Sequence, residues 1–254
     1  ESGGPSALAG AQTRALHTKL GIFTADQVRD AIRPMRRHLP VSRVISIENT
    51  TNAGGGSVWP IEEIINVTQA AKENGLSAHM DGARLMNAVV ASGTSATEYG
   101  RNFDSLWLDL SKGLGCPIGG VLAGSADFIE KAWRFKQQIG GAMRQAGIVA
   151  AAGIYALENH VDRLAVDHQN ARAFSREIAQ IPGIKLIFDH CPTNLVFFDV
   201  SETGMDAATV AENLLAHDVR IGAMGPYRMR AVTHLDTNWE QLSEAAEALR
   251  KVVT

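Results

Sequence analysis

Strand-like and helix-like stretches alternate along the N-terminal part of the chain. A β-branched run at 41–47 (VSRVISI) and apolar runs at 76–80, 105–110 and 119–123 have the length and composition of strands. Around them, apolar residues recur at helical spacing over 25–32, 60–74, 85–92 and 126–138. Thr24 is placed to cap the first helix, Gln27 completes a capping box, and Pro34 stops it. Gly75 closes the second. Strands separated by helices predict an α/β fold with a mostly parallel sheet and helices on both faces, because parallel neighbours need crossover connections. Residues 141–180 have the pattern of one long Ala-rich helix containing Gly147 and Gly153. Beyond Pro182-Gly183 the order changes: strands at 184–188 and 194–200, a helix at 206–217, extended stretches at 220–221 and 228–233, and a last helix at 238–252. The expected organisation is a large domain over 1–150 and a small α+β domain over 151–254, with the boundary inside the long helix.

Three chemically useful positions fall at the carboxyl ends of the predicted strands, where open α/β sheets gather their functional groups. They are Glu48-Asn49, Asp81 in the run DGAR, and Lys112 in the run SKGLG. A lysine amine able to form a Schiff base and a carboxylate able to hold a ring nitrogen protonated suit pyridoxal phosphate (PLP). Taken singly, Lys112 also fits an exposed turn and Asp81 an Asp-Gly turn. Arg84 could pair with Asp81, a cofactor phosphate or a substrate group. Arg144 follows GGAM at an expected helix start. Arg230 lies in an apolar strand (MRAV), where an arginine needs a partner, and a substrate carboxylate is a natural bidentate one. His79 and His234 fit structural, hydrogen-bonded roles, Cys116 a buried small residue, and Gly54-Gly55-Gly56 matches no nucleotide motif.

Charge and composition narrow the partners. The 24 basic and 27 acidic residues give a net charge of −3 without a basic block, so neither nucleic acid nor an anionic membrane surface is expected. No apolar run reaches the length of a membrane span. Cys116 and Cys191 lack metal-ligand spacing and the histidines show no HExxH, so no metal is expected, and the cysteine usage suits the cytoplasm. Glu1-Ser2-Gly3-Gly4-Pro5 has neither an initiator Met nor a signal-peptide core and suggests that an upstream segment precedes it.

Six segments, in order, then carry a resemblance: ESGGPSALAG (1–10), IENTTNAGGG (47–56), HMDGARLMNA (79–88), SLWLDLSKGLGCPIGG (105–120), GGAMRQAGIVAAAGIYAL (140–157) and RAVTHLD (230–236). Together they resemble the low-specificity L-threonine aldolases and phenylserine aldolases, members of the beta-eliminating lyase superfamily with the aspartate-aminotransferase-like (fold type I) PLP-dependent fold. The resemblance implies a PLP-dependent aldehyde-lyase that cleaves a β-hydroxy-α-amino acid to glycine and an aldehyde. A β-eliminating lyase giving pyruvate and ammonia is the alternative on the same fold. It implies that Lys112 forms the Schiff base, Asp81 faces the pyridinium nitrogen, and Arg84 lies beside it near the 3-hydroxyl and substrate. It also implies that Ser111 contributes to cofactor binding, Arg230 takes the substrate carboxylate, and Arg144 helps hold the cofactor phosphate across the interface of a dimer or tetramer. Two departures stand out. Thr51 replaces the histidine that faces the substrate side chain in the family, which leaves the proton acceptor open and could admit an aryl β-substituent. The family also has about ninety residues before the ESGGP-like segment, a size suited to completing a normal PLP domain.

Overall fold

The computed structural model describes residues 2–254; Glu1, the first residue of the opening motif, lies outside the described residues. A short helix, α1 (Gly4–Ala9), precedes α2 (Ala25–Ala31), whose start carries the expected reciprocal Thr24–Gln27 capping box. Then follow β1 (Val44–Glu48), α3 (Ile61–Glu73), β2 (Ser77–Gly82), α4 (Leu85–Ser92), α5 (Ala96–Gly100), β3 (Ser105–Asp109), β4 (Gly120–Gly124) and α6 (Ala126–Gln138). They build a sheet of order β1-β2-β3-β4, parallel through the first three strands and antiparallel at the β4 edge.

The alternation of side chains along β1 and β2 decides what each sheet face can do. Ile47 and Met80 turn to one face and pack with Ile64 and Val67 of α3, beside Trp59 and Tyr99. The opposite face carries a polar row, Ser46–His79–Ser105, and beyond it Glu48–Asp81–Trp107, each set in register. All six of these side chains are exposed or half-buried. Among the described residues, α3 covers the apolar face of β1 and β2, whereas the face carrying the polar row is exposed or half-buried.

The predicted long helix is two helices, α7 (Gly147–Asn159) and α8 (Leu164–Ile178). The chain turns between them where His160 Nδ1 meets the Leu114 carbonyl at 2.7 Å. Gly147 opens α7 instead of lying within a helix, and Gln145 before it has φ 51°. Leu110, Leu114 and Cys116 pack with Ala156 of α7 and Leu164 of α8 beneath the turn that bears Lys112.

The C-terminal part contains β5 (Lys185–Leu186), β6 (Leu195–Asp199), α9 (Ala207–Leu215), β7 (Gly222–Ala223), β8 (Arg228–Val232) and α10 (Trp239–Val253). Its strands form an antiparallel sheet of order β5-β6-β8-β7. Phe174 and Ile178 of α8, Phe198, Met229, Leu242 and Leu249 fill the core between that sheet and its helices. The extended stretch expected at 220–221 forms the approach to β7 rather than a strand. No helix of the described residues is long and apolar enough to cross a membrane.

Candidate active site

The lysine loop is built from β3 outward. Asp109, the last residue of β3, is buried, and its Oδ1 accepts both the backbone N–H (2.8 Å) and the hydroxyl (2.7 Å) of Ser111. Its other oxygen accepts from the Lys112 ammonium. Burial pushes the Asp109 carboxyl up, but the hydrogen bonds from Lys112 and Ser111 outweigh it and hold it below the ordinary carboxylate range. The Lys112 side chain keeps 42% of its surface and its Nζ lies 5.3 Å from the centroid of the Trp107 ring, so the amine is held but reachable. On the far side of the loop, the Lys112 carbonyl accepts from His234 Nε2 at 2.8 Å. A Cβ at Gly113 would sit 2.9 Å from Leu164 Cδ2 and 3.0 Å from Asn87 Oδ1, which is the close approach that requires glycine there.

Asp81 lies on the same face as Trp107 and in register with Glu48. Its Oδ1 accepts the Ala83 N–H at 3.0 Å, and its backbone carbonyl accepts from Asn49 at 2.9 Å. Arg84 follows at the start of α4, buried, and its backbone N–H donates to the Asn49 carbonyl at 3.2 Å. No ion pair joins Arg84 to Asp81, and among the described residues the buried Arg84 Nε has no hydrogen-bond partner. Burial, then the charge of Arg230, lower the Arg84 pKa against the opposing pull of Glu48, Asp109 and Asp81. Glu48 is raised, chiefly by burial; the Asn52 N–H opposes this, Asp81 adds to it, and Arg84 and Lys112 oppose it. Glu48, Asp81, Arg84, Asp109, Lys112 and Arg230 thus share one electrostatic neighbourhood.

The loop after β1 joins this neighbourhood to the second sheet. Glu48 Oε2 accepts the Asn52 N–H at 2.9 Å, and Asn52 Oδ1 accepts from Arg230 Nη1 at 2.7 Å. Thr51 is turned elsewhere. It is 2% exposed, its hydroxyl donates to the Leu20 carbonyl at 2.7 Å, and its backbone pairs with Ser57. Gly21 and Gly54 close around it, since a Cβ at either would come within 2.9 Å of the Thr51 side chain.

Arg144 lies exposed in the turn before α7, and no hydrogen bond or ion pair among the described residues involves it. The strand ends of the first sheet carry Asp81, Arg84, Ser111 and Lys112, and Asn52 links Arg230 of β8 to them, while Arg144 lies apart and Thr51 is buried behind the loop. Asp109 and Asn52 join the site without having been expected there, and His234 takes the hydrogen-bonded structural role expected of it. Asp109 had a legible signal, because an Asp two residues before a Ser commonly accepts that residue's N–H and hydroxyl. Asn52 and His234 gain their roles from residues 178 and 122 positions away, which no local pattern encodes. Among the described residues no cluster of His, Cys, Asp or Glu could hold a metal ion.

Residues 1–203 match the family described as beta-eliminating lyase. The chain is 39% identical over 247 residues to a low specificity L-threonine aldolase of Escherichia coli (strain K12), covering 97% of this chain and 71% of that protein. It is 36% identical over 185 residues to a low specificity L-threonine aldolase of Saccharomyces cerevisiae, covering 72% of this chain and 46% of that protein. The solved threonine aldolase of Leishmania major superposes with a TM-score of 0.78 at 20% identity, covering 99% of this chain and 75% of that one.

Proposed function

Since the chain belongs to the beta-eliminating lyase family, we propose that it is a PLP-dependent aldolase that cleaves a β-hydroxy-α-amino acid to glycine and an aldehyde. The observation that carries this is the linked geometry at the strand ends of the first sheet: Lys112 held on Asp109, Asp81 in register with Glu48, and Arg230 joined to Glu48 through Asn52. These residues fit the cofactor. Lys112 offers a reachable amine, Asp81 a carboxylate for a ring nitrogen, and the orphaned, buried Arg84 Nε a donor for an acidic oxygen. PLP, when bound, supplies a ring that takes up the electron pair released as Cα–Cβ breaks. The chain's own groups do the rest. Arg230, held by Asn52, takes the substrate carboxylate and so sets which Cα bond is presented for cleavage. Asp109 and Ser111 fix the lysine loop, and His234 fixes it from the second sheet. Asp81 holds the proton on the ring nitrogen.

Threonine, allo-threonine and phenylserine are the candidate substrates, in an assembly of two or four subunits to which Arg144 contributes its charge. The two four-stranded sheets, each with its own core, correspond in this proposal to a large domain over 1–150 and a small one over 151–254. The Thr51 hydroxyl is committed to Leu20 and is not the group that takes the β-hydroxyl proton. Incubating the full-length, PLP-loaded protein with the three amino acids tests the proposal. Glycine and the matching aldehyde are expected; pyruvate and ammonia would establish the eliminating alternative instead.

A further inference from the structure

Two arginines of β8 reach for one turn. Arg228 and Arg230 are two residues apart on a strand, so both project from the same face. Arg230 Nη1 donates to Asn52 Oδ1 at 2.7 Å, and Arg228 Nη2 donates to the neighbouring Ala53 carbonyl at 2.9 Å. The Arg228 guanidinium lies on an aromatic surface, 4.5 Å from the Phe197 centroid and 5.9 Å from that of Phe188. Those two rings meet edge to face at 5.7 Å. Among the described residues the buried Arg228 Nε has no hydrogen-bond partner, as suits a guanidinium laid on rings rather than threaded into a polar network.

The turn itself has little slack. A Cβ at Gly55 would stand 2.5 Å from the Phe188 ring, and one at Gly56 2.3 Å from Thr193 Oγ1. The Thr193 hydroxyl donates to the Gly56 carbonyl at 2.9 Å. Glu48 grips the Asn52 N–H from the first sheet. Asn52 is thereby held through its backbone by Glu48, while the next peptide is held by Arg228 and its side chain faces Arg230.

We propose that Arg228 is a positioning residue for carboxylate recognition. By pinning the Ala53 carbonyl to the Phe188–Phe197 surface, it keeps Asn52 in place. Asn52 in turn keeps the Arg230 guanidinium oriented for the carboxylate of the amino acid substrate. This rests on the role given to Arg230 above. Physically, a guanidinium on a long flexible stem binds more tightly when its orientation is fixed beforehand, because less rotamer freedom is lost on binding. Lysine at 228 would keep the charge but not the planar stack.

The test uses the full-length, PLP-loaded protein with Arg228→Gln and Arg228→Lys, each checked for an unchanged thermal midpoint. Amide hydrogen exchange without substrate should quicken about tenfold over residues 52–56 in Arg228→Gln, with Arg228→Lys between it and the parent. Affinity for glycine, followed by the cofactor's absorbance, should fall about tenfold, while affinity for methylamine, which lacks the carboxylate, stays the same. KM should rise in parallel with kcat within about threefold. Unchanged exchange in the turn, or an equal loss for glycine and methylamine, would overturn the proposal. A parent enzyme that binds glycine in this Arg228-dependent way yet cleaves no β-hydroxy amino acid would remove the aldolase assignment and leave the clamp standing.

Discussion

His168 gives the structure a pH dependence that can be worked out in advance. It is 3% exposed, and the Asn87 amide donates to its Nε2 at 3.0 Å, so Nε2 must be the unprotonated nitrogen. Burial, followed by the charge of Arg172, lowers its pKa from 6.5 to about 4. Between those values the unfolded chain binds the extra proton, so this contribution is complete above pH 6.5 and is lost as the pH falls towards 4. Integrating the difference between pH 7 and pH 5 gives a loss of about 2 kcal/mol from this one group. The assay is equilibrium urea unfolding at the two pH values for the parent and for His168→Gln, which offers a polar group of similar reach that does not titrate. The parent should lose about 2 kcal/mol more than the variant. An equal loss in both would refute the assignment of a buried, neutral His168. The consequence reaches the site, because Asn87 sits against Gly113 in the lysine loop.

Other substitutions follow from contacts already described. Gly54→Ala would place a Cβ 1.9 Å from the Leu20 carbonyl oxygen, a backbone atom that cannot swing aside. It should cost about 3 kcal/mol of unfolding free energy, and a loss under about 1 kcal/mol would contradict the packing. Asp109→Asn keeps an acceptor for Ser111 but removes the charge that holds Lys112; a drop of about tenfold or more in kcat is expected by steady-state assay, and unchanged kinetics would show the pair to be incidental. Burial pushes the Cys191 thiol up to about 11 and raises that of Cys116. A thiol reagent at pH 8 should therefore label the native protein far more slowly than the urea-unfolded chain, and equal rates would argue against burial.

The strands and most helices of the first sheet were legible because each matches a single local period. Helix 85–92 and helix 126–138 are found where their apolar spacing places them, as Leu85–Ser92 and Ala126–Gln138. The 141–180 stretch misled because its break depends on a long-range contact. His160 turns to a carbonyl 46 residues earlier, and Ala-rich composition hides that. Short elements escaped for a related reason. The five residues of α5 are fixed by the Ser95 cap and by burial of Tyr99, not by any period. At the site, Asp81 and Lys112 were readable from their places at strand ends. Thr51 was readable only as a departure from a motif, and its burial against Leu20 needed the fold. Asn52, Arg228 and His234 are functional candidates only because the second sheet folds back onto the loops of the first.

Lys112 is the residue proposed to carry the cofactor. Borohydride reduction of the PLP-loaded full-length protein, followed by proteolysis and mass spectrometry, should find the cofactor fixed to the peptide containing Lys112 and absent from Lys112→Ala. A label on another lysine, or none in the parent protein, would contradict the account.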